Sequence, residues 1–205
     1  MLLAVNADNP QSRLIAQIVA VLEQGGVIAY PTDTTYGIGC SIFSKKGIER
    51  IYQIKQRDKK KPFSFICPTL AEVARYAKVS NYAFKLLKRR FPGPYTFVLE
   101  ASGVVPDLLQ TKQQTVGIRM PANNICLAIV NLLGHPIVTT SANLSGEEPI
   151  GDPREVFRSM GKQLDIVVDG GVLSADVSSV VSLLRDDPEL LRKGIGDVSW
   201  CPERS

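Results

Sequence analysis

A run of four apolar residues, Val27-Ile28-Ala29-Tyr30, stands between Gly25-Gly26 and Pro31, too short for a helix and closed on both sides by structure-breaking residues. It reads as a buried strand that delivers the polar loop Thr32-Asp33-Thr34-Thr35 to its C-terminal end. Ahead of it, Asn9-Pro10-Gln11-Ser12 precedes Leu14, Ile15, Ile18, Val21 and Leu22 at helical spacing, and Gly25-Gly26 stops that helix. A short buried strand following an amphipathic helix, if repeated, commits a chain to layers of helix on sheet.

The alternation does repeat. A helix from about Lys46 to Lys55 carries Ile48, Ile51 and Ile54 on one face, and Phe63 to Cys67 reads as a strand. Thr69 and Glu72 have capping-box spacing and open another helix. Ser80 to Arg90 is helical, Tyr95 to Glu100 and Thr115 to Arg119 are strands, and Ile125 to Leu133 is a helix stopped by Gly134. A strand from Pro136 to Thr140 opens into Ser141-Ala142-Asn143-Leu144-Ser145-Gly146. A helix near Pro153 to Met160 and strands near Ile166 to Val168, Ser179 to Leu184 and Leu190 to Arg192 complete the series. Gly37-Ile38-Gly39 is expected to be a turn.

No internal repeat or linker divides the chain, so a single α/β domain over residues 1–205, with a core from about 10 to 195, is expected. With 44% hydrophobic and 21% charged residues it can bury one continuous core, which excludes disorder. No run approaches the ~20 apolar residues that cross a bilayer, and Met1 to Asn9 lacks the order of a signal peptide, so no membrane partner and a cytoplasmic location are expected.

The residue inventory excludes several chemistries. Cys40, Cys67, Cys126 and Cys201 form no CxxC pair and read as reduced, buried thiols. The single histidine, His135, sits in a Gly-His-Pro loop, which leaves a Ser-His-Asp hydrolase without its base. Gly37-Ile38-Gly39 has Ile42 where a dinucleotide fingerprint needs a third glycine, and no P-loop occurs. The formal charge is only +4, yet Lys55, Arg57, Lys59, Lys60 and Lys61 fall within seven residues. A second group, Lys85, Lys88, Arg89 and Arg90, reads as a solvated face or at most a weak RNA-facing patch.

What remains at the strand ends is hydroxyls (Thr32, Thr34, Thr35, Thr139, Thr140, Ser141, Ser178, Ser179), the Asn143 amide and cations (Lys55, Arg57, Lys61, Arg119, Arg192). Arginine forks pair with oxyanions in bidentate fashion and hydroxyls fill the remaining lone pairs, so this set suits polyphosphate and carboxylate groups. The ends are expected to converge on one side of the sheet, and open α/β folds bind ligands at the C-terminal ends of their strands.

Five segments, in order, resemble the YrdC/YciO family: Pro31-Thr32-Asp33-Thr34-Thr35-Tyr36-Gly37, Lys55-Gln56-Arg57 with Lys61-Pro62, Pro92-Gly93-Pro94-Tyr95-Thr96, Val116-Gly117-Ile118-Arg119-Met120-Pro121, and Ser141-Ala142-Asn143-Leu144-Ser145-Gly146. Ser178-Ser179-Val180-Val181 and Leu191-Arg192-Lys193-Gly194 resemble its later elements. Asp8-Asn9-Pro10-Gln11 and Cys67 look like the YciO branch. Ile66-Cys67 and Asn123 stand where many family synthases carry histidines.

The resemblance implies a YrdC/RibB-like fold, a twisted mixed sheet with helices around a basic concave cleft. It implies a nucleotidyltransferase, L-threonylcarbamoyladenylate synthase, that converts L-threonine, bicarbonate and ATP, with Mg2+, to threonylcarbamoyl-AMP and pyrophosphate. The product would serve t6A37 modification of tRNA through t6A-transfer proteins. By position in the matching motifs, Thr34, Arg119, Thr139 and Ser178 would hold threonine. Arg57, Lys61, Thr115, Ser141, Asn143 and Arg192 would hold ATP, with Lys55 and Arg57 catalytic. Two alternatives stand beside this: a non-catalytic protein of the YciO branch that binds tRNA or double-stranded RNA or assists ribosome assembly, and a carbamoyl-adenylate enzyme with another substrate.

Overall fold

The structure is a computed structural model that describes residues 1–56, 63–109 and 113–202. Arg57, Lys59, Lys60 and Lys61, expected in the first basic cluster, lie outside the described residues.

Eleven strands among the described residues form one mixed sheet. They are β1 (Leu2–Ala4), β2 (Ile28–Tyr30), β3 (Gly37–Ser41), β4 (Ser64–Ile66), β5 (Ala77–Lys78), β6 (Gly93–Ala101), β7 (Thr115–Met120), β8 (Ile137–Ser141), β9 (Ile166–Asp169), β10 (Ser179–Ser182) and β11 (Glu189–Arg192). Their order is β1-β9-β2-β3-β8-β4-β7-β6-β10-β11, with β5 pairing off that path onto β6. Six helices accompany them: α1 (Ser12–Glu23), α2 (Lys45–Lys55), α3 (Leu70–Tyr76), α4 (Asn81–Arg90), α5 (Asn124–Leu133) and α6 (Pro153–Met160). Helix starts follow local chemistry, since Ser44, Thr69, Ser80, Asn123 and Asp152 each cap the helix that follows by accepting a backbone N–H.

The two faces of the sheet are covered unequally. On one face, Phe65, Phe97, Ile118, Val138 and Val181 pack with Ile48, Ile51 and Ile54 of α2, Val73 and Tyr76 of α3, Leu87 of α4 and Val156 of α6. On the other, α1 and α5 bring Ile15, Ile18, Leu22, Ile125, Ile129 and Val130 against Ile28, Tyr30, Ile66, Ile137 and Ile166. Those two helices cover only part of their face. Side chains alternate along a strand, so the residues between the core positions of β4, β6, β7, β8 and β10 look out where no helix lies.

Gly37-Ile38-Gly39 is a strand, not the turn expected of it, and lies in β3 between β2 and β8. Its glycines make room for Tyr30, whose ring crosses them. A Cβ on Gly37 would stand 3.1 Å from the Tyr30 hydroxyl, and one on Gly39 3.0 Å from Tyr30 Cε1 and 2.5 Å from the Val138 carbonyl oxygen. Across that notch the fully buried Tyr30 hydroxyl meets Thr139 Oγ1 at 2.5 Å, and burial holds its pKa well above the usual tyrosine value. The N-terminal segment adds an unexpected strand, β1, which pairs in parallel with β9. No helix among the described residues is long and apolar enough to cross a membrane.

Because the atom opposing a Gly39 Cβ is backbone and cannot swing aside, Gly39→Ala should lower unfolding free energy by about 2 kcal/mol. Gly103→Ala, whose Cβ would meet nothing within 4 Å, should stay within about 0.5 kcal/mol. Urea unfolding of the two variants checks this, and equal stabilities would contradict the notch.

Candidate functional site

The uncovered part of the sheet forms a cavity of about 260 Å³. Its wall comprises Thr34, Thr35, Phe63, Ser64, Thr96, Val98, Thr115, Gly117, Arg119, Thr139, Thr140, Ser141, Val177, Ser178, Val180 and Arg192. Nine of these sixteen carry hydroxyls, two are arginines and none is a carboxylate. Such a wall favours a ligand with many acceptors and negative charge.

The cavity lies on one face of the sheet, and it is not strand ends alone that gather its residues: β8 runs antiparallel to β3 and β4, and β6 antiparallel to β7, so carboxyl ends fall on both edges. What the strands share is alternation. Thr115, Gly117 and Arg119 of β7 point one way while Val116 and Ile118 point into the core. Thr139 and Ser141 flank Thr140 on β8, and Thr96 stands between core residues Tyr95 and Phe97 on β6.

Arg119 is held from one side. Its Nη2 donates to Asp33 Oδ1 at 3.1 Å and Thr34 Oγ1 at 3.0 Å, while Asp33 Oδ2 accepts from the Ala122 N–H at 2.9 Å. Thr32 shapes that turn without lining the cavity, its Oγ1 accepting the Thr34 N–H and lying within 2.6 Å of the Thr35 carbonyl. Arg192 enters from the edge strand β11. Its Nε and Nη2 donate to the Ser178 carbonyl at 3.2 and 2.9 Å, and Nη2 also reaches Ser178 Oγ, which pairs with Thr96 Oγ1. Burial, and then the Arg119 guanidinium, pull the Arg192 pKa below its ordinary value. Two like charges therefore share one wall, an arrangement that an anionic ligand relieves.

Lys55 is almost wholly buried, and its ammonium turns to a loop outside the cavity wall. Nζ donates to the Ser141 carbonyl at 2.7 Å and to the carbonyl and side-chain oxygens of Asn143. Asn143 Oδ1 also accepts from Ser141 Oγ at 2.6 Å, and Nδ2 donates to the Glu147 carbonyl. Lys55 and Asn143 thus shape the loop that presents Ser141, while Ser141 itself lines the wall. Ser179 anchors the chain just after β11, accepting the Gly194 N–H and donating to the Gly196 carbonyl.

The structure brings Thr34, Thr115, Arg119, Thr139, Ser141, Ser178 and Arg192 around one cavity and leaves Lys55 and Asn143 behind it. Arg57 and Lys61 lie outside the described residues. Sequence reasoning missed Ser64, Thr96 and Gly117, which carry a readable signal: each is a small or polar residue one position from core residues of a strand. Asn123, which stands in a family histidine position, caps α5 by accepting the Cys126 N–H and donates to the Thr32 carbonyl.

No thiol or imidazole reaches the wall. All four cysteines are free and buried, and burial pushes Cys40 and Cys126 up to about 12. His135 packs edge-on against Phe43. Among the described residues no group of three or more His, Cys, Asp or Glu could hold a metal ion. The chemistry open to this site is binding and alignment of anions by guanidinium and hydroxyl groups.

Lys55→Met preserves side-chain bulk but strips the donor from two buried carbonyls. It should lower unfolding free energy by about 2–3 kcal/mol and speed amide hydrogen exchange around 141–146. Wild-type exchange in that loop would show that the ammonium is not its clamp.

Comparison with known proteins agrees with the fold. The Sua5/YciO/YrdC family model, described as telomere recombination, matches residues 20–194. The uncharacterized protein YciO of Escherichia coli (strain K12) is 42% identical over 196 residues, 95% of this chain and 95% of that protein. The crystal structure of E. coli YciO gives a TM-score of 0.92 over 97% of this chain and 98% of that one. Pyrococcus abyssi Sua5, in a crystal structure complexed with L-threonine, is 30% identical with a TM-score of 0.89, covering 95% of this chain but 57% of that one. The threonylcarbamoyl-AMP synthase of Vibrio vulnificus (strain YJ016) is 32% identical over 183 residues, 88% of this chain and 98% of that protein. With a family model spanning most of its length and a relative this similar from end to end, the chain belongs to the Sua5/YciO/YrdC family.

Proposed function

We propose that this chain is an L-threonylcarbamoyladenylate synthase, a nucleotidyltransferase that makes threonylcarbamoyl-AMP and pyrophosphate from L-threonine, bicarbonate and ATP. The observation that carries the reading is the pair of guanidiniums, Arg119 and Arg192, facing one cavity whose described wall is lined with hydroxyls and carries no carboxylate. Relatives named threonylcarbamoyl-AMP synthase, and a similar protein crystallised with L-threonine, support this substrate assignment.

In this reading the threonine amine attacks the carbon of bicarbonate, water leaves, and a carbamate oxygen attacks the α-phosphorus of ATP with loss of pyrophosphate. All participants carry negative charge, so the protein's task is to hold them together. Arg119 takes the threonine carboxylate, aided by Thr34, Thr139 and Ser178. Arg192, Thr115 and Ser141 face the nucleotide, joined by Arg57 and Lys61. Because Arg192 donates to Ser178, the two ligands meet at that contact. Lys55 and Asn143 position the Ser141 loop. The described wall offers no carboxylate to Mg2+, so an ion arriving with ATP would be held by the phosphates and by wall hydroxyls. The adenylate would pass to t6A-transfer proteins acting on tRNA in the cytoplasm.

A second reading rests on α4, where Lys85, Lys88 and Arg89 are exposed beside exposed Tyr82 and Phe84. Exposed cations and aromatics suit an RNA-binding face.

Pyrophosphate release should require both L-threonine and bicarbonate, and should fall to background in the Arg57→Ala, Arg119→Ala double variant. Arg119→Lys keeps the charge but loses the fork, and should lower kcat/KM for L-threonine at least about tenfold, equivalent to about 1.4 kcal/mol. Turnover no higher than in the double variant would overturn the enzyme reading. Steeply salt-dependent tRNA binding without turnover would favour the RNA-binding one.

A further inference from the structure

Most hydroxyls of the cavity wall are engaged within the protein. Thr34 is bound by Arg119, Thr35 donates to the Ile150 carbonyl, Thr96 pairs with Ser178, Thr139 with Tyr30 and Ser141 with Asn143. Ser64 differs. Among the described residues its hydroxyl makes no hydrogen bond, although it is half-buried in the wall. Thr140 is also unengaged, but it follows Thr139 on β8 and so leans to the opposite side of the pleat from Thr139 and Ser141.

Ser64 opens β4, in register between two wall residues, Thr139 on β8 and Gly117 on β7. A Cβ on Gly117 would lie only 2.6 Å from Ser64 Oγ, so the hydroxyl leans over bare backbone that a ligand can approach closely. Arg119 stands two residues along β7 on the same face, about 7 Å away. That separation suits a small amino acid whose carboxylate meets Arg119 and whose side chain comes down over Gly117.

We propose that Ser64, set over the bare backbone of Gly117, is the specificity-determining residue that reads the side-chain hydroxyl of the amino-acid substrate. This rests on the threonine reading above. It also assigns the discrimination: a polar site that loses its ligand's hydroxyl keeps an unmatched group of its own, which penalises analogues lacking it far more than a missing methyl would.

The test is calorimetric titration of the full chain, with ATP present, using L-threonine and L-2-aminobutyrate, which differ only in the β-hydroxyl. The unmodified protein should prefer threonine. Ser64→Ala should weaken threonine binding about tenfold or more while 2-aminobutyrate stays within about twofold, and Ser64→Thr, which keeps a hydroxyl, should retain the preference. Gly117→Ala, whose Cβ would crowd Ser64 Oγ and cover the bare backbone, should weaken both ligands. Unchanged threonine binding in Ser64→Ala, or equal loss for both ligands, overturns the inference while threonine binding by the unmodified protein stands. Failure of the unmodified protein to bind threonine overturns the substrate reading and this inference with it.

Discussion

The period-two alternation of side chains along a strand is the constraint on which the molecule depends. Each strand near the cavity must satisfy two environments at once, a core packed by α2, α3, α4 and α6 and a face that α1 and α5 leave partly bare. Apolar residues at one parity hold the sheet together, and hydroxyls, glycine and arginine at the other parity make the wall. A slip of one residue in β7 would bury Arg119 against the core and turn Ile118 to the cavity, so folding and site formation are one event.

Within that frame the wall is mostly pre-arranged. Hydroxyls that would otherwise compete for a ligand are bonded in pairs, and Arg119 is aligned by Asp33 and Thr34 before any ligand arrives. Alignment of this kind lowers the entropic cost of binding. The opposing tendency is electrostatic. Burial and the Arg119 guanidinium both work against the charge on Arg192, and among the described residues only Arg119 has a carboxylate beside it. Stability is thereby traded for affinity toward anions, a balance common at sites where charge must be gathered.

Much of this was legible in the chain. The β2 strand, α1, α5 and the strand carrying Arg119 followed from periodicity and from glycine and proline punctuation, because in those segments local pattern and tertiary burial agree. Gly37 and Gly39 were misread, since nothing local shows that Tyr30, seven and nine residues earlier, will lie across them. Lys55 was read as a ligand-facing cation because its place in a motif says nothing about which way its side chain turns. Ser64 and Thr96 were overlooked for the opposite reason: their signal is faint, a single polar position in a short apolar run, and acquires meaning only when neighbouring strands bring like positions together. The gathering of these residues on one side of the sheet was expected from strand ends, whereas in a sheet of mixed parallel and antiparallel pairs it is the pleat that gathers them.

The position of Arg192 has a kinetic side. It stands on β11, at the edge of the sheet, which among the described residues pairs only with β10. Edge strands open locally at lower free energy than the centre of a sheet. Of the two arginines that line the described wall, one is therefore carried by an edge strand, while Arg119 sits in the interior of the sheet. The cavity can relax its charge repulsion by releasing one strand, and an anion bridging both arginines acts as a staple that ties the edge of the sheet to its centre.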